Sequence, residues 1–302
     1  MNRNTRQIVL PLLTAMIWGS AFVAQKGGAE VLGPLSFNWT RSLIAGIEVL
    51  ALAALRERRV PRAAAPADRA AARKRLLTGG AVVGTLLALA SYLQQYGLGR
   101  TTAGKAGFLT ALYIVLVPAL GVFLRKRVRP LVWCGVGIAV AGLYFLSFAA
   151  GGELIIGRGD VYVLLCALVF SLHILAIDHY TKTVDGLKLS CVQFFVTAAE
   201  SFTAALAAEG LPARAILACM PFILYAGVLS SGVGYTLQIL AQKDGDPTVV
   251  SLLLSLESVF AVLSGALVLH ERLSLREYLG CALMLGAVVL VQLPERRKAE
   301  LT

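Results

Sequence analysis

Residues 106–124, AGFLTALYIVLVPALGVFL, carry no charge, and cations follow at once at Arg125, Lys126, Arg127 and Arg129. At ~1.5 Å per residue, an uncharged helix of this length matches a hydrocarbon core of ~30 Å. Backbone amides in lipid must find partners within their own segment, so this stretch predicts a membrane-spanning helix. A similar stretch recurs at Asp246–Leu275, DPTVVSLLLSLESVFAVLSGALVLHERLSL. A shift of 145 positions lays Arg127 on Arg272, Val128 on Leu273 and Gly135 on Gly280.

The duplication extends further. At an offset of 152, Arg41 falls on Gln193 and Glu48 on Glu200. At 143, Gly84 falls on Gly227, Tyr92 on Tyr235 and Gln95 on Gln238. Small drifts in offset are what unequal loops produce. The expected domains are two five-helix repeats, residues 1–150 and 151–302. Five is an odd number of crossings, so the halves insert with opposite orientation. The predicted fold class is an all-α polytopic membrane protein, with ten transmembrane helices as a 5+5 inverted-topology repeat.

Read in order, the predicted spans are Gln7–Gln25, Pro34–Leu55, Leu76–Leu98, Thr101–Leu124 and Pro130–Phe148 in the first half. Those of the second are Asp160–Tyr180, Leu187–Ala208, Ala213–Gln242, Pro247–His270 and Ser274–Leu293. An Arg- and Ala-rich loop covers Arg56–Arg75, and a hinge covers Gly151–Gly159. With 58% hydrophobic and only 15% charged residues, an ordinary soluble domain is excluded. The net charge of +11 does not imply nucleic acid, because the cations sit between apolar spans. Of 28 Lys and Arg residues, 20 fall on the side of the N-terminus, which predicts both termini in the cytoplasm. The first apolar stretch lacks a small-residue cleavage site and reads as a retained span. Cys134, Cys166, Cys191, Cys219 and Cys281 lie in apolar stretches without CxxC spacing, so they read as packing residues. No cofactor or metal is expected.

Ionisable groups deep in a bilayer are costly and point to function. Glu257 lies 11 residues into its span, near mid-depth, with Ser251, Ser255 and Ser258 close to one face. It reads as a partner for a substrate ammonium or for a coupling proton; the bland alternative is a carboxylic acid bonded to helix backbone. His173 is also deep, and reads equally as a proton or carboxylate partner and as a structural donor to a carbonyl. Glu48 and Glu200 suit a symmetric structural role. Tyr92/Gln95 and Tyr235/Gln238 repeat one spacing in both halves, which favours a cavity lining over simple inter-helix bonding. Trp18 sits at mid-depth beside Gly19 and Ser20 and suits a cavity wall. Pro118 and Pro221 permit kinks. There is no HExxH, P-loop or GxSxG motif, so ATP-driven pumping by this chain alone is not expected.

The ordered set IWGSAFVAQK, WTRSLIAG, TTAGKAGFLTALYIVLVPALGVFL and LLLSLESVFAVLSGALVLHERLS resembles the EamA-type transporters of the drug/metabolite transporter superfamily. The resemblance covers essentially the whole chain. It implies an exporter of small metabolites, with amino acids, amines or drugs as usual substrates. It also implies that Trp18, Tyr92, Gln95, Tyr113, His173 and Glu257 line a central cavity. Two departures stand out. Ser258 replaces the proline that often follows the acidic residue of the ninth helix, and Arg125-Lys126 replaces a Gly-Glu that often closes the fourth.

The expected function is a secondary transporter working by alternating access in the inner membrane. Its expected partners are a small-molecule substrate, the lipid bilayer and coupling protons. An uncoupled facilitator and an intramembrane enzyme on lipid-linked substrates are the rival readings.

Overall fold

The computed structural model describes residues 3–58, 66–101, 103–126, 128–147, 156–243, 245–268 and 274–293. All regular structure among them is helical. The first half holds α1 (Arg3–Val31), α2 (Pro34–Glu57), α3 (Pro66–Leu98), α4 (Ala103–Ala111), α5 (Tyr113–Phe123) and α6 (Pro130–Ser147). The second holds α7 (Arg158–Tyr180), α8 (Gly186–Ala208), α9 (Ala213–Ala218), α10 (Met220–Leu224) and a π-helix (Tyr225–Tyr235). It continues with α11 (Thr236–Gln242), α12 (Pro247–Leu254), α13 (Glu257–Val268) and α14 (Leu275–Gln292).

Eight stretches among the described residues are long and apolar enough to cross a membrane, and Pro130–Leu146 is a shorter apolar helix. The remaining crossing expected from the sequence, α2, is 24 residues long and carries Arg41 and Glu48 inside it. Large apolar side chains such as Ile47, Leu89, Leu165 and Val289 are exposed, as a lipid-facing surface requires.

The helix partners obey a twofold relation between the halves. α6 packs on α14 and α2 on α8, each helix against its own repeat mate. α4 and α5 pack on α7, just as α12 and α13 pack on α1. Single residues repeat the pattern. A Cβ on Gly142 would meet the Gly280 carbonyl at 3.0 Å, and one on Gly135 would meet the Ala287 carbonyl at 3.4 Å. The shift of 145 converts the first contact into the second, so the inverted repeat is expressed in packing.

Three predicted spans are interrupted. The fourth breaks at Leu112 into α4 and α5, and the ninth breaks at Ser255–Leu256 into α12 and α13. The two breaks fall at matching points of the repeat. Near the first, Pro118 leaves no amide for the carbonyl four residues back. The ninth span breaks despite Ser258 standing in the proline's place. There the Ser251 and Ser255 hydroxyls donate to the Thr248 and Leu252 carbonyls at 2.8 and 2.7 Å, a local competition that bends helices. The eighth span is interrupted at Cys219 and widens into the π-helix, rich in Gly and Ser. Helix 1 alters that segment from outside: Trp18 Nε1 donates to the Ser230 carbonyl at 2.9 Å, and Thr14 to that of Gly234 at 3.3 Å.

Two boundaries also move. α1 runs to Val31, and α3 begins at Pro66 within the predicted loop, since alanines favour helix and proline suits a first turn. Most of the predicted hinge, and the last residues of the predicted ninth span, lie outside the described residues.

Candidate functional site

A narrow cavity of about 30 Å³ lies between the halves. Its aromatic wall comes from Trp18 and Phe22 of α1, Phe170 of α7 and Tyr235 of the π-helix. Trp18 and Tyr235 meet with ring centroids 4.6 Å apart. Gly234 makes this approach possible, because a Cβ there would stand 2.5 Å from Trp18 Nε1.

The polar wall sets a basic and an acidic residue on different halves. Glu257 is the first residue of α13, where a helix N-terminus favours a negative charge. It is 3% exposed and accepts a hydrogen bond from the Tyr113 hydroxyl at 3.1 Å. Tyr113 is itself the first residue of α5, so the two broken helices meet at the cavity through these side chains. Arg41 of α2 is also 3% exposed. It donates from Nε to Asn38 Oδ1 at 3.2 Å and from one terminal nitrogen to Gln25 Oε1 at 3.3 Å. No carboxylate among the described residues forms an ion pair with it. A buried cation whose hydrogen bonds go to neutral amides keeps strong attraction for an anion. Gln238 adds an amide whose Oε1 is buried without a partner.

Five of the residues singled out in the sequence therefore meet at this cavity: Trp18, Tyr113, Tyr235, Gln238 and Glu257. Tyr92, Gln95 and His173 stand elsewhere. A three-residue step turns a helix by about 300°, leaving two side chains about 60° apart. Tyr92 accordingly faces a tyrosine ladder, 5.8 Å from Tyr96, which lies 4.4 Å from Tyr162 and under the Arg100 guanidinium. Gln95 instead donates to the Gln25 carbonyl at 2.9 Å. His173 is fully buried one layer behind the cavity, with Nε2 3.2 Å from Gln193 Oε1 and its ring edge-on to Tyr235 at 6.0 Å. Glu48 and Glu200 do not share one environment. Glu48 is wedged against Gly232 of the π-helix, whereas Glu200 accepts from Thr85 at 2.6 Å.

Gln94, which adds a second amide beside Gln95, reaches the cavity as well, and so do Arg41, Gln25 and Thr110, which the sequence reading does not single out. Arg41 carried a readable signal, being a cation inside a span. Pairing it only with Gln193 obscured that signal. The structure explains the pairing: Gln25 meets Arg41 much as His173 meets Gln193. One inter-helix contact is kept in both halves, and only the first half's version bears a cation into the cavity.

Ion clusters close both ends of the seam between α4/α5 and α7. At one end Asp160 accepts from Lys105 at 2.5 Å and from Thr101 at 2.6 Å. At the other Asp178 binds Lys126 and Lys182. Asp160 and Asp178 are about 27 Å apart along α7, and the cavity residues Phe170 and Ile174 lie between them.

The model of the EamA-like transporter family matches the chain twice, over residues 5–148 and 157–293. An uncharacterized transporter of Archaeoglobus fulgidus is 30% identical over 93% of this chain and 84% of its own length. The uncharacterized inner membrane transporter YedA of Escherichia coli is 25% identical, covering 94% of this chain and 92% of its own. A crystal structure 17% identical in sequence superimposes with a TM-score of 0.76 over 95% of this chain and 96% of that one, which bears on the fold alone. With both stretches of the family model laid over the ten-helix fold, this chain is a multi-pass membrane transporter and belongs to the EamA-like transporter family.

Proposed function

We propose that the protein exports a small zwitterionic metabolite, an amino acid or a close chemical relative, across the inner membrane by alternating access in exchange for protons. One observation carries the reading: the same cavity presents buried Arg41 from the first half and buried Glu257 from the second, with no ion pair joining them. Arg41 suits the substrate carboxylate, for which a guanidinium fork is the best partner. Glu257 suits the ammonium. Trp18, Phe22, Phe170 and Tyr235 supply faces for an apolar side chain and for the cation. Among the described residues Glu257 is also the one carboxylate of the cavity lining, so a proton and the ammonium compete for it. That competition is the physical basis of exchange: releasing cargo lets Glu257 take a proton, and losing the proton readies it for cargo. The inner-membrane assignment is supported by the name of the Escherichia coli relative. The ion clusters at the two ends of α7 are the gates this reading requires, and broken helices beside the site are their movable parts.

Uptake of labelled amino acids into proteoliposomes tests it. A pH gradient with its acidic side opposite the cargo is expected to accelerate transport about tenfold, against the same vesicles without a gradient. Equal rates would remove proton exchange. Saturable counterflow without any gradient would still separate a carrier from an open facilitator.

A further inference from the structure

Away from the cavity, a groove of about 340 Å³ opens at one membrane boundary between α3 and the end of α7. Lys74, Arg75 and Thr78 form one wall, and His179, Tyr180 and Thr183 the other. The helices meet closely here, because a Cβ on Gly79 would lie 2.8 Å from the Tyr180 ring. The His179 ring stands edge-on to that of Tyr180 at 5.0 Å, and Thr183 donates to the Tyr180 carbonyl at 3.3 Å. Among the described residues, no carboxylate lines the groove. The adjacent acid, Asp178, is occupied by Lys126 and Lys182. Among the described residues Lys74 and Arg75 form no ion pair.

We propose that this groove binds the phosphate headgroup of an anionic phospholipid. Lys74 and Arg75 supply positive charge, and the Thr78 and Thr183 hydroxyls supply hydrogen bonds. The choice of a lipid over a dissolved anion follows from position. The apolar part of α3 begins at Leu76, and Leu77 and Val82 beyond it are exposed by 49% and 38%. A headgroup in the groove therefore leaves its acyl chains against lipid-facing helix. Basic pockets between helices at the cytoplasmic boundary are suited to anionic lipid. Because α3 and α7 come from different halves, the bound lipid bridges them beside the Asp178 ion cluster.

The full chain is reconstituted in phosphatidylcholine, with or without phosphatidylglycerol, and its melting temperature is measured. Phosphatidylglycerol is expected to raise it by about 5 °C. Lys74→Gln/Arg75→Gln is expected to lose that gain while melting like the wild type in phosphatidylcholine alone, since both side chains are exposed. Thr183→Glu, which places a carboxylate in the same groove, is expected to lose it too, and serves if the first variant folds poorly. Lys188→Gln/Lys243→Gln, which removes equal charge outside the groove, is expected to keep it. The proposal is overturned by no gain in the wild type, by a gain retained in both groove variants, or by equal loss in the Lys188/Lys243 variant. It is equally overturned if inorganic phosphate added to phosphatidylcholine reproduces the full gain.

Discussion

Glu257→Gln is expected to lower the saturated transport rate by about 100-fold or more, equivalent to ~2.7 kcal/mol in the barrier. The substitution keeps size and shape, and the Tyr113 hydroxyl, 3.1 Å from the carboxylate, finds an amide oxygen instead. What disappears is the ionisable group. A neutral amide attracts an ammonium weakly and exchanges no proton, so gradient-driven transport and counterflow are both expected to fail. The fold is expected to survive, because a buried carboxylate gives way to a neutral isostere. Parallel melting curves therefore separate loss of function from loss of structure. A variant that transports at the wild-type rate, with the wild-type response to a pH gradient, would remove Glu257 from the mechanism.

Gly19→Val is expected to be strongly damaging. A Cβ at Gly19 would stand 2.5 Å from the Glu257 carbonyl oxygen, 2.7 Å from the Ala261 amide nitrogen and 2.7 Å from the Phe260 Cβ. Two of these neighbours are backbone atoms of the very helix that holds the carboxylate, so no rotamer change relieves the contact. Overpacking of this kind costs about 1–3 kcal/mol where side chains can shift. Here α13 itself must move away from α1, carrying Glu257 out of register with Tyr113. A lowered melting temperature and little residual transport are expected. Gly137 offers the control, since a Cβ there meets nothing within 4 Å. Gly137→Ala should be neutral or slightly stabilising, because alanine favours helix over glycine by ~1 kcal/mol. Equal behaviour of the two variants would show that the α1–α13 contact does not govern the site.

The ten-span plan and its inversion were legible because they rest on signals that lipid enforces: uncharged runs bounded by cations, and a duplication of odd span number. Glu257 was legible for the same reason, as a charge where charge is costly. The breaks were less so. Pro118 marks the first, but the second depends on serine hydroxyls turning back to their own helix, and sequence alone does not show whether a serine does that. Tyr92 and Gln95 illustrate a further limit. Their spacing matches Tyr235 and Gln238, yet only the second pair reaches the cavity, where helix 1 side chains bind the carbonyls of a π-helix. Residue spacing is the same in both halves, whereas the backbone beneath it is not. Arg41 was hidden differently, since symmetry with a glutamine disguised the asymmetry on which recognition of a zwitterion depends.

The most direct test asks whether the space between the halves opens to each side of the membrane in turn. Ser230 lies on the cavity wall. Ser230→Cys, in a background with the five native cysteines replaced, is to be treated with a charged thiol reagent from either side of sealed vesicles. Reaction from both sides is expected, and Asp178→Asn, which loosens the Lys126 and Lys182 cluster, should speed it from the nearer side and slow it from the other. A thiol that reacts from neither side, or one whose two rates rise together when the cluster is loosened, would contradict a carrier built around this cavity.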